Sequence, residues 1–289
     1  MPVANVASTW ADGDLYFKQK HAGQVGSIHF DVPIYTDSTF AVLNNTSLAL
    51  TGAYTLDGLN ALPSRFELRW TAGQRGKPGI NADITSATEA VRMIADPSFE
   101  VLGTNASSDD VTYYAEGGIT IETDGANNDQ VIVLPHLTAN ISPWTGVTWG
   151  TDKETKWEAV IRTSAITATT IWAGLKLTNT SVTATDDDQA FFRYAAGTNS
   201  GKWQAVSSIG GTDDAADSGV TVAEDTTYRL TIVIDSARKA SFYINNVLVK
   251  TSAALTNAVD LIPYIGIQAN GAAAKKMHIM GQAISRVVG

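Results

Sequence analysis

The chain of 289 residues carries 29 acidic and 20 basic side chains, which gives a formal net charge of −9 at pH 7. Nucleic-acid binding needs clustered Lys and Arg to neutralise phosphates, so this balance argues against a nucleic-acid partner. The absence of cysteine excludes disulfides and thiolate metal sites. No apolar run approaches the ~18 residues of a membrane span, so no membrane partner is expected.

The first 80 residues contain six basic and six acidic side chains, so the whole net charge lies after residue 80. Short alternating segments, among them 47–56 and 65–72, predict strands with one buried face. We therefore expect residues 1–80 to form a small N-terminal β module. The segment 73–81, GQRGKPGIN, is rich in glycine and indicates a turn or a linker.

Residues 84–97, ITSATEAVRMIADP, carry the clearest helical pattern of the chain. Ser86 and Glu89 have the spacing of a capping box, and the Asp96–Pro97 step is a helix stop signal. We predict one short helix here, so that residues 81–96 form a linker and helix between two β parts.

From residue 97 to 289 the pattern is that of short strands separated by turns. In 227–249, TYRLTIVIDSARKASFYINNVLV, apolar and polar residues alternate, which places Ile232 and its i±2 neighbours on one buried face. Asn245–Asn246 tolerates positive φ and predicts a tight hairpin. About twelve such strands without helical crossovers predict an all-β fold, an antiparallel sandwich or jelly roll.

The strand pattern of 227–249 resembles that of the concanavalin-A-like lectin/glucanase jelly roll, which includes laminin-G-like domains. In addition, five longer blocks are similar to structural proteins of tailed bacteriophages: 8–17, 72–84, 117–137, 170–206 and 260–288. This resemblance implies a decoration, cement or head-fibre protein on the outer capsid surface of a virion. It further implies the major capsid protein as a partner, and commonly a homotrimer.

A local group of basic side chains lies in and just before the predicted linker of this otherwise acidic chain: Arg65, Arg69, Arg75 and Lys77. One interpretation is a solvated strand face followed by a linker, and the other is a capsid-docking surface or trimer junction. In the second case, apolar residues should carry most of the binding energy. The candidate capsid or oligomer contacts are Trp10, Arg65, Arg69, Trp70, Arg75 and Lys77.

A second functional hypothesis is a carbohydrate-binding module that tethers a particle to surface glycans, since sugars stack on exposed aromatic rings. Trp144 and Trp149 flank the loop 142–151 and are the candidates for exposure. Trp157, Trp172 and Trp203 lie in or at the start of predicted strands, where core packing explains them.

A third hypothesis is a glycan hydrolase with an atypical site. Glucanases of this fold carry Glu-x-Asp-x-x-Glu on one strand, and the nearest match is 122–127, where the third acid is missing. No GxSxG elbow and no metal-binding histidine spacing occur. We therefore expect a non-enzyme without a cofactor.

Three acidic segments could in principle offer oxygen ligands to a metal: 124–129, 186–188, and the loop that contains Asp213, Asp214 and Asp217. Calcium takes six to eight oxygens in a defined geometry, and none of these segments has the complete spaced loop. We interpret them as solvated turns or loops and predict no metal site.

Overall fold

A computed structural model gives the fold of the chain for residues 34–35, 42–43, 65–70, 77–79, 95–135, 147–178 and 186–287. The chain divides into two compact units, Met1–Ser64 and Arg65–Gly289. In the first unit, β1 (Ile34–Tyr35) pairs antiparallel with β2 (Val42–Leu43). No helix in these ranges is both long and apolar enough to cross a membrane.

The second unit is a sandwich of two sheets, which we call sheet I and sheet II. Sheet I contains, in spatial order, β13 (Thr212–Thr221), β12 (Lys202–Ile209), β11 (Gln189–Ala195), β10 (Thr169–Lys176), β17 (Ile262–Ala269), β8 (Gln130–Pro135), β5 (Ala95–Leu102) and β4 (Lys77–Gly79). Sheet II contains β16 (Val247–Ala254), β15 (Lys239–Ile244), β14 (Thr227–Ile234), β9 (Lys156–Thr163), β18 (Lys276–Val287), β7 (Ile119–Glu122) and β6 (Val111–Tyr113), and β3 (Arg65–Trp70) also pairs with β18.

The pairs between these strands are antiparallel except that of β4 with β5, and the only described helices are two 3-10 turns, Ser108–Asp110 and Asn199–Gly201. This architecture confirms the predicted all-β jelly-roll sandwich. The predicted helix at 84–97 lies outside the described residues for the most part. Its last residues, Ala95–Pro97, begin strand β5.

The three strands predicted in 227–249 are confirmed as β14, β15 and β16, which pair in sequence. Asn245 and Asn246 connect the last two with φ of 50° and 67°, the left-handed conformation that asparagine tolerates. Leu230 and Ile232 are fully buried, as their alternation predicts.

The segment that contains Asp213, Asp214 and Asp217 is a strand, β13, so the predicted polar loop is wrong. Strand β13 is the outermost strand of sheet I, and most of its side chains are exposed. Backbone pairing with β12 holds it in place, and an edge strand of this kind needs no buried face. Charged side chains are a usual protection of such edges against pairing with other chains.

Strand β3 belongs to the sandwich unit, so the division of the chain falls between Ser64 and Arg65 and not at residue 80. The strand pairs with the C-terminal half of β18 through six residues, from Arg65–Val287 to Trp70–Gln282. The guanidinium of Arg65 also donates to Ser285 Oγ at 3.1 Å and to the backbone oxygen of Glu154.

Sheet I is packed with apolar side chains on both of its faces. The main core lies between the sheets and includes Trp157, Trp203, Phe192 and Phe242, the last two in edge-to-face contact at 5.5 Å. A second buried cluster lies on the opposite face of sheet I, and we call this face the outer face.

Candidate functional site

The outer face is formed by alternate residues of the five central strands of sheet I: β12, β11, β10, β17 and β8. Its apolar cluster is buried, with exposed fractions between 0 and 8%. The cluster consists of Ile132, Leu134, Trp172, Phe191, Val206, Ile262 and Tyr264.

Two glycines leave space for side chains of this cluster on neighbouring strands. Gly174 pairs with both Phe191 and Tyr264, and a Cβ at Gly174 would lie 2.5 Å from the Cα of Phe191. A Cβ at Gly266 would lie 2.9 Å from Ile132 Cγ1. The rings of Phe191 and Tyr264, the two residues that pair with Gly174, have their centroids 6.1 Å apart.

A buried ion pair lies beside this cluster. Lys176 Nζ is 3.6 Å from Asp186 Oδ2, and the two side chains are 0% and 4% exposed. Thr178 donates from its backbone N–H to Asp186 Oδ2 at 3.0 Å and from its hydroxyl to Oδ1 at 2.8 Å. Burial lowers the pKa of Lys176, and the nearby carboxylate of Asp186 partly offsets this effect.

Polar side chains continue from the ion pair across the sheet, since Lys176 pairs with Gln189, which in turn pairs with Ser208. Gln189 Oε1, Ser208 Oγ and Tyr264 Oη are buried and have no hydrogen-bond partner among the described residues. Burial also raises the pKa of Tyr264 well above its usual value, so its phenol stays neutral.

A network of amide side chains lies at one end of the outer face. Gln130 Nε2 donates to Gln268 Oε1 at 2.7 Å, and Gln268 Nε2 donates to Asn270 Oδ1 at 2.8 Å. Asn270 Nδ2 donates to Thr170 Oγ1 at 2.8 Å. Asn270 is exposed, so this network is accessible to solvent.

The five central strands of sheet I contain no Asp or Glu. A retaining glycosidase needs two carboxyl groups about 5–5.5 Å apart, and an inverting one needs them about 6.5–9.5 Å apart. Two buried carboxylates nevertheless adjoin these strands: Glu100 on β5, which pairs with Leu134, and Asp186, which contacts Lys176.

Sheet II offers carboxylates on its own outer surface. Glu67 and Glu158 line a shallow pocket together with Lys156 and Ser285. Glu158 is held by Arg229 at 3.0 Å and by Thr231 Oγ1 at 3.1 Å. These bonds orient the carboxylate of Glu158.

The structure accounts for only one of the predicted docking side chains, Arg65, which holds β3 against the sandwich. Arg69 and Trp70 lie on β3 and Lys77 lies on β4, but their side chains are outside the described part of the chain. Trp10 and Arg75 are also outside it. Their docking role stays a prediction.

Trp149 is fully buried, so its predicted exposure is wrong. Its ring packs on Phe66 with centroids 5.7 Å apart, and its backbone N–H donates to Asp260 Oδ1 at 2.5 Å. A buried ring has no free face on which a sugar can stack. Trp144, its predicted partner, lies outside the described residues.

The acidic segments have structural partners. After β7 ends at Glu122, Asp129 accepts hydrogen bonds from Ala126 N–H and Asn105 Nδ2, both at 2.6 Å. Asp186 pairs with Lys176 as described above. In the described ranges, no group of three or more His, Asp or Glu residues could hold a metal ion.

Sequence reasoning missed Lys176, Gln189 and Tyr264 as members of a site, and assigned Trp172 to the core in general. The signal was the near-continuous apolar run of β10, TTIWAGLK, and of β17, IPYIGIQA. Such runs are typical of strands that are buried on both faces. A lysine inside a strand of that kind is a candidate for a buried ion pair.

No family model matches the chain, and no curated protein matches its sequence. Among solved structures, a protein of unknown function from Shewanella oneidensis MR-1 superposes with a TM-score of 0.51 at 10% identity, over 78% of this chain and 87% of that one. A β-glucanase from Bacillus licheniformis has a TM-score of 0.47 at 10% identity over 67% and 93%, and a carbohydrate-binding module from Bacillus subtilis has 0.37 at 10% over 64% and 94%.

At such identities the similarity concerns the fold alone, which is that of the concanavalin-A-like jelly-roll sandwiches. This fold hosts unrelated functions, so function has to be argued from the site. None of these three structures is described as a virion protein, and the predicted phage role stays a prediction.

Proposed function

We propose that this chain is a non-catalytic structural protein of a virion surface, attached to the capsid of a tailed phage. The observation that carries the proposal is the filled outer face of sheet I, whose central strands hold a buried apolar cluster. A rigid sandwich with that face filled is suited to a structural role. The resemblance of five sequence blocks to tailed-phage structural proteins supplies the biological setting.

In this proposal the docking surface lies in the neutral first 80 residues of the chain. Its candidate contacts are Trp10, Arg69, Trp70, Arg75 and Lys77, whereas Arg65 serves the sandwich itself. Rim charges affect the association rate and its salt dependence, and buried apolar side chains carry most of the affinity. A homotrimer would raise avidity without a stronger single contact.

The test measures rebinding of the full-length chain to phage particles stripped of it. We expect Trp10→Ala to weaken rebinding by more than about tenfold, the effect of losing about 1.4 kcal/mol. The matched control is Lys239→Ala, an exposed change on β15 of the sandwich. Absence of the chain from purified virions, or equal rebinding of both variants, would overturn the proposal.

A glycan-binding module is the second candidate, and the exposed amide network of Gln268 and Asn270 favours it. Planar amides offer both donors and acceptors to sugar hydroxyls. On a glycan array, Gln268→Ala and Asn270→Ala should then abolish binding, with Asn257→Ala as an exposed control. Release of reducing sugar from any bound glycan would instead indicate a hydrolase.

A further inference from the structure

The pair of Lys176 and Asp186 has surroundings that differ from those of an ordinary ion pair. We propose that Lys176 Nζ and Asp186 Cγ condense to an intramolecular amide, an isopeptide bond that joins the end of β10 to the residues just before β11. The two groups lie 3.6 Å apart, N to O, with 0% and 4% of the side chains exposed. This modification is independent of the proposed virion role.

The first requirement is a neutral amine, because an ammonium group is not a nucleophile. Burial disfavours the charged form of Lys176 and lowers its pKa. One proton transfer within the pair converts the ammonium and carboxylate into an amine and a carboxylic acid. Burial removes most of the hydration free energy that favours the ammonium–carboxylate pair over the neutral pair in solution.

The second requirement is a thermodynamic gain over the separated groups, since amide formation is unfavourable in water. Groups held in reactive geometry reach effective molarities of about 10⁵–10⁸ M, which can offset this cost. The pair also lies in dry surroundings, with Ile262 and Gln189 beside Lys176 on the adjacent strands and the Tyr264 ring centroid 5.6 Å from Nζ. Exclusion of bulk water slows the reverse hydrolysis.

The atoms balance without an oxidant, a reductant or a cofactor. After the proton transfer, the lone pair of Lys176 Nζ attacks Asp186 Cγ and forms the C–N bond. Thr178, whose N–H and hydroxyl already donate to the two carboxylate oxygens at 3.0 and 2.8 Å, can stabilise the negative oxygen of the tetrahedral intermediate. A proton from the nitrogen then joins the leaving hydroxyl, the C–O bond breaks, and one water molecule departs.

Two other lysine–aspartate pairs in the same chain serve as internal controls. Lys250 lies 3.0 Å from Asp214, whose side chain is 68% exposed, and Lys202 lies 3.0 Å from Asp217, which is 45% exposed. Both pairs are closer than Lys176 and Asp186, but in each pair the aspartate is exposed to solvent. If burial is the cause, they should stay unlinked.

The experiment is the intact mass of the purified full-length chain, followed by protease mapping. We expect the chain to be lighter than its sequence by one water molecule, and a branched peptide to join Lys176 to Asp186. Asp186→Asn should condense with loss of ammonia, and Lys176→Met should restore the full sequence mass.

A succinimide at Asp124–Gly125 would also remove one water, but mild base reopens it and the map would place it elsewhere. The full sequence mass in the folded wild-type chain, or a water loss mapped to any other position, would overturn the proposal. If Lys176→Met does not fold, the wild-type peptide map decides alone.

Discussion

Asp110, the last residue of the 3-10 turn before β6, is a residue whose protonation is coupled to folding. It is 7% exposed, and its carboxylate accepts a hydrogen bond from the Ser107 N–H at 2.6 Å. Burial raises the pKa of Asp110, the bond from Ser107 opposes this shift, and the neighbouring carboxylate of Asp124 adds to it. The folded state therefore holds this proton more tightly than the unfolded chain.

We predict that Asp110→Asn changes the pH dependence of stability. A raised folded-state pKa stabilises the protein below the unfolded value of about 3.9, and this contribution is lost as pH rises through the folded-state pKa. The amide side chain of the variant cannot ionise but keeps an acceptor for Ser107. The variant should therefore gain in melting temperature relative to wild type as pH rises from about 4 to 7.

The measurement is a series of thermal melts across this pH range. Asp109→Asn, which removes the same charge at an exposed neighbouring position, is the control. A constant difference between Asp110→Asn and wild type at all pH values would contradict the coupling.

We also predict that Ile232→Asp unfolds the sandwich. Ile232 is fully buried between the sheets, and an unpaired buried carboxylate costs several kcal/mol. Val233 is its partly exposed neighbour on the other face of β14, and Val233→Asp should cost about 1 kcal/mol or less. Denaturant titrations that give similar midpoints for the two variants would contradict the assigned inward face.

At the scale of the element, β3 determines where the sandwich unit begins. Besides pairing with β18, it places Leu68 against the core and Phe66 against Trp149. A chain of residues 65–289 keeps these contacts, and a chain of residues 81–289 loses them. This contrast gives a direct test of the boundary.

We predict that the 65–289 chain melts within a few degrees of full length and that the 81–289 chain melts several degrees lower. Circular dichroism measures both melts, with the full chain as reference. Equal melting of the two truncated chains would indicate that β3 contributes nothing to the sandwich, and the boundary would then return to residue 80.

Strands could be predicted from the sequence where one face is buried and the other is exposed to solvent. Strand β14 is such a case, because its alternation encodes its orientation. Strand β13 could not be predicted this way, since backbone pairing at a sheet edge leaves no apolar pattern. Trp149 was misassigned because it is buried in the core between the sheets through contacts distant in sequence, among them Phe66 about 80 residues earlier, which no local pattern encodes.

At the scale of the whole molecule, the fold class followed from the sequence and the outer face did not. The spacing of turns and the alternation of apolar and polar residues indicate a sandwich, but they do not reveal which strands are buried on both faces. Prediction of the ion pair between Lys176 and Asp186 would have required knowledge of the register of β10 with β11 and of the path of the chain before β11. Tertiary packing supplied that information.

We predict that amide hydrogen exchange is slowest in β10 and β17 and fastest in β13. Strand β10 is buried at every residue, whereas β13 is an exposed edge. Slow exchange requires sub-global or global opening, whereas an edge strand opens locally. Peptide-resolved exchange measures the order, and protection of β13 equal to that of β10 would contradict it.

Apolar packing on both faces has a consequence for how the strands of sheet I find their alignment. In a sheet with one face exposed to solvent, a shift of the register by one residue exposes the apolar side chains, and the free-energy cost of this exposure fixes the pairing. In β10 and β17 a slip exchanges one apolar face for another, so burial alone discriminates poorly. Two contacts then determine the register, because each forms in a single register. Gly174 lies opposite Phe191, and Lys176 lies beside Asp186.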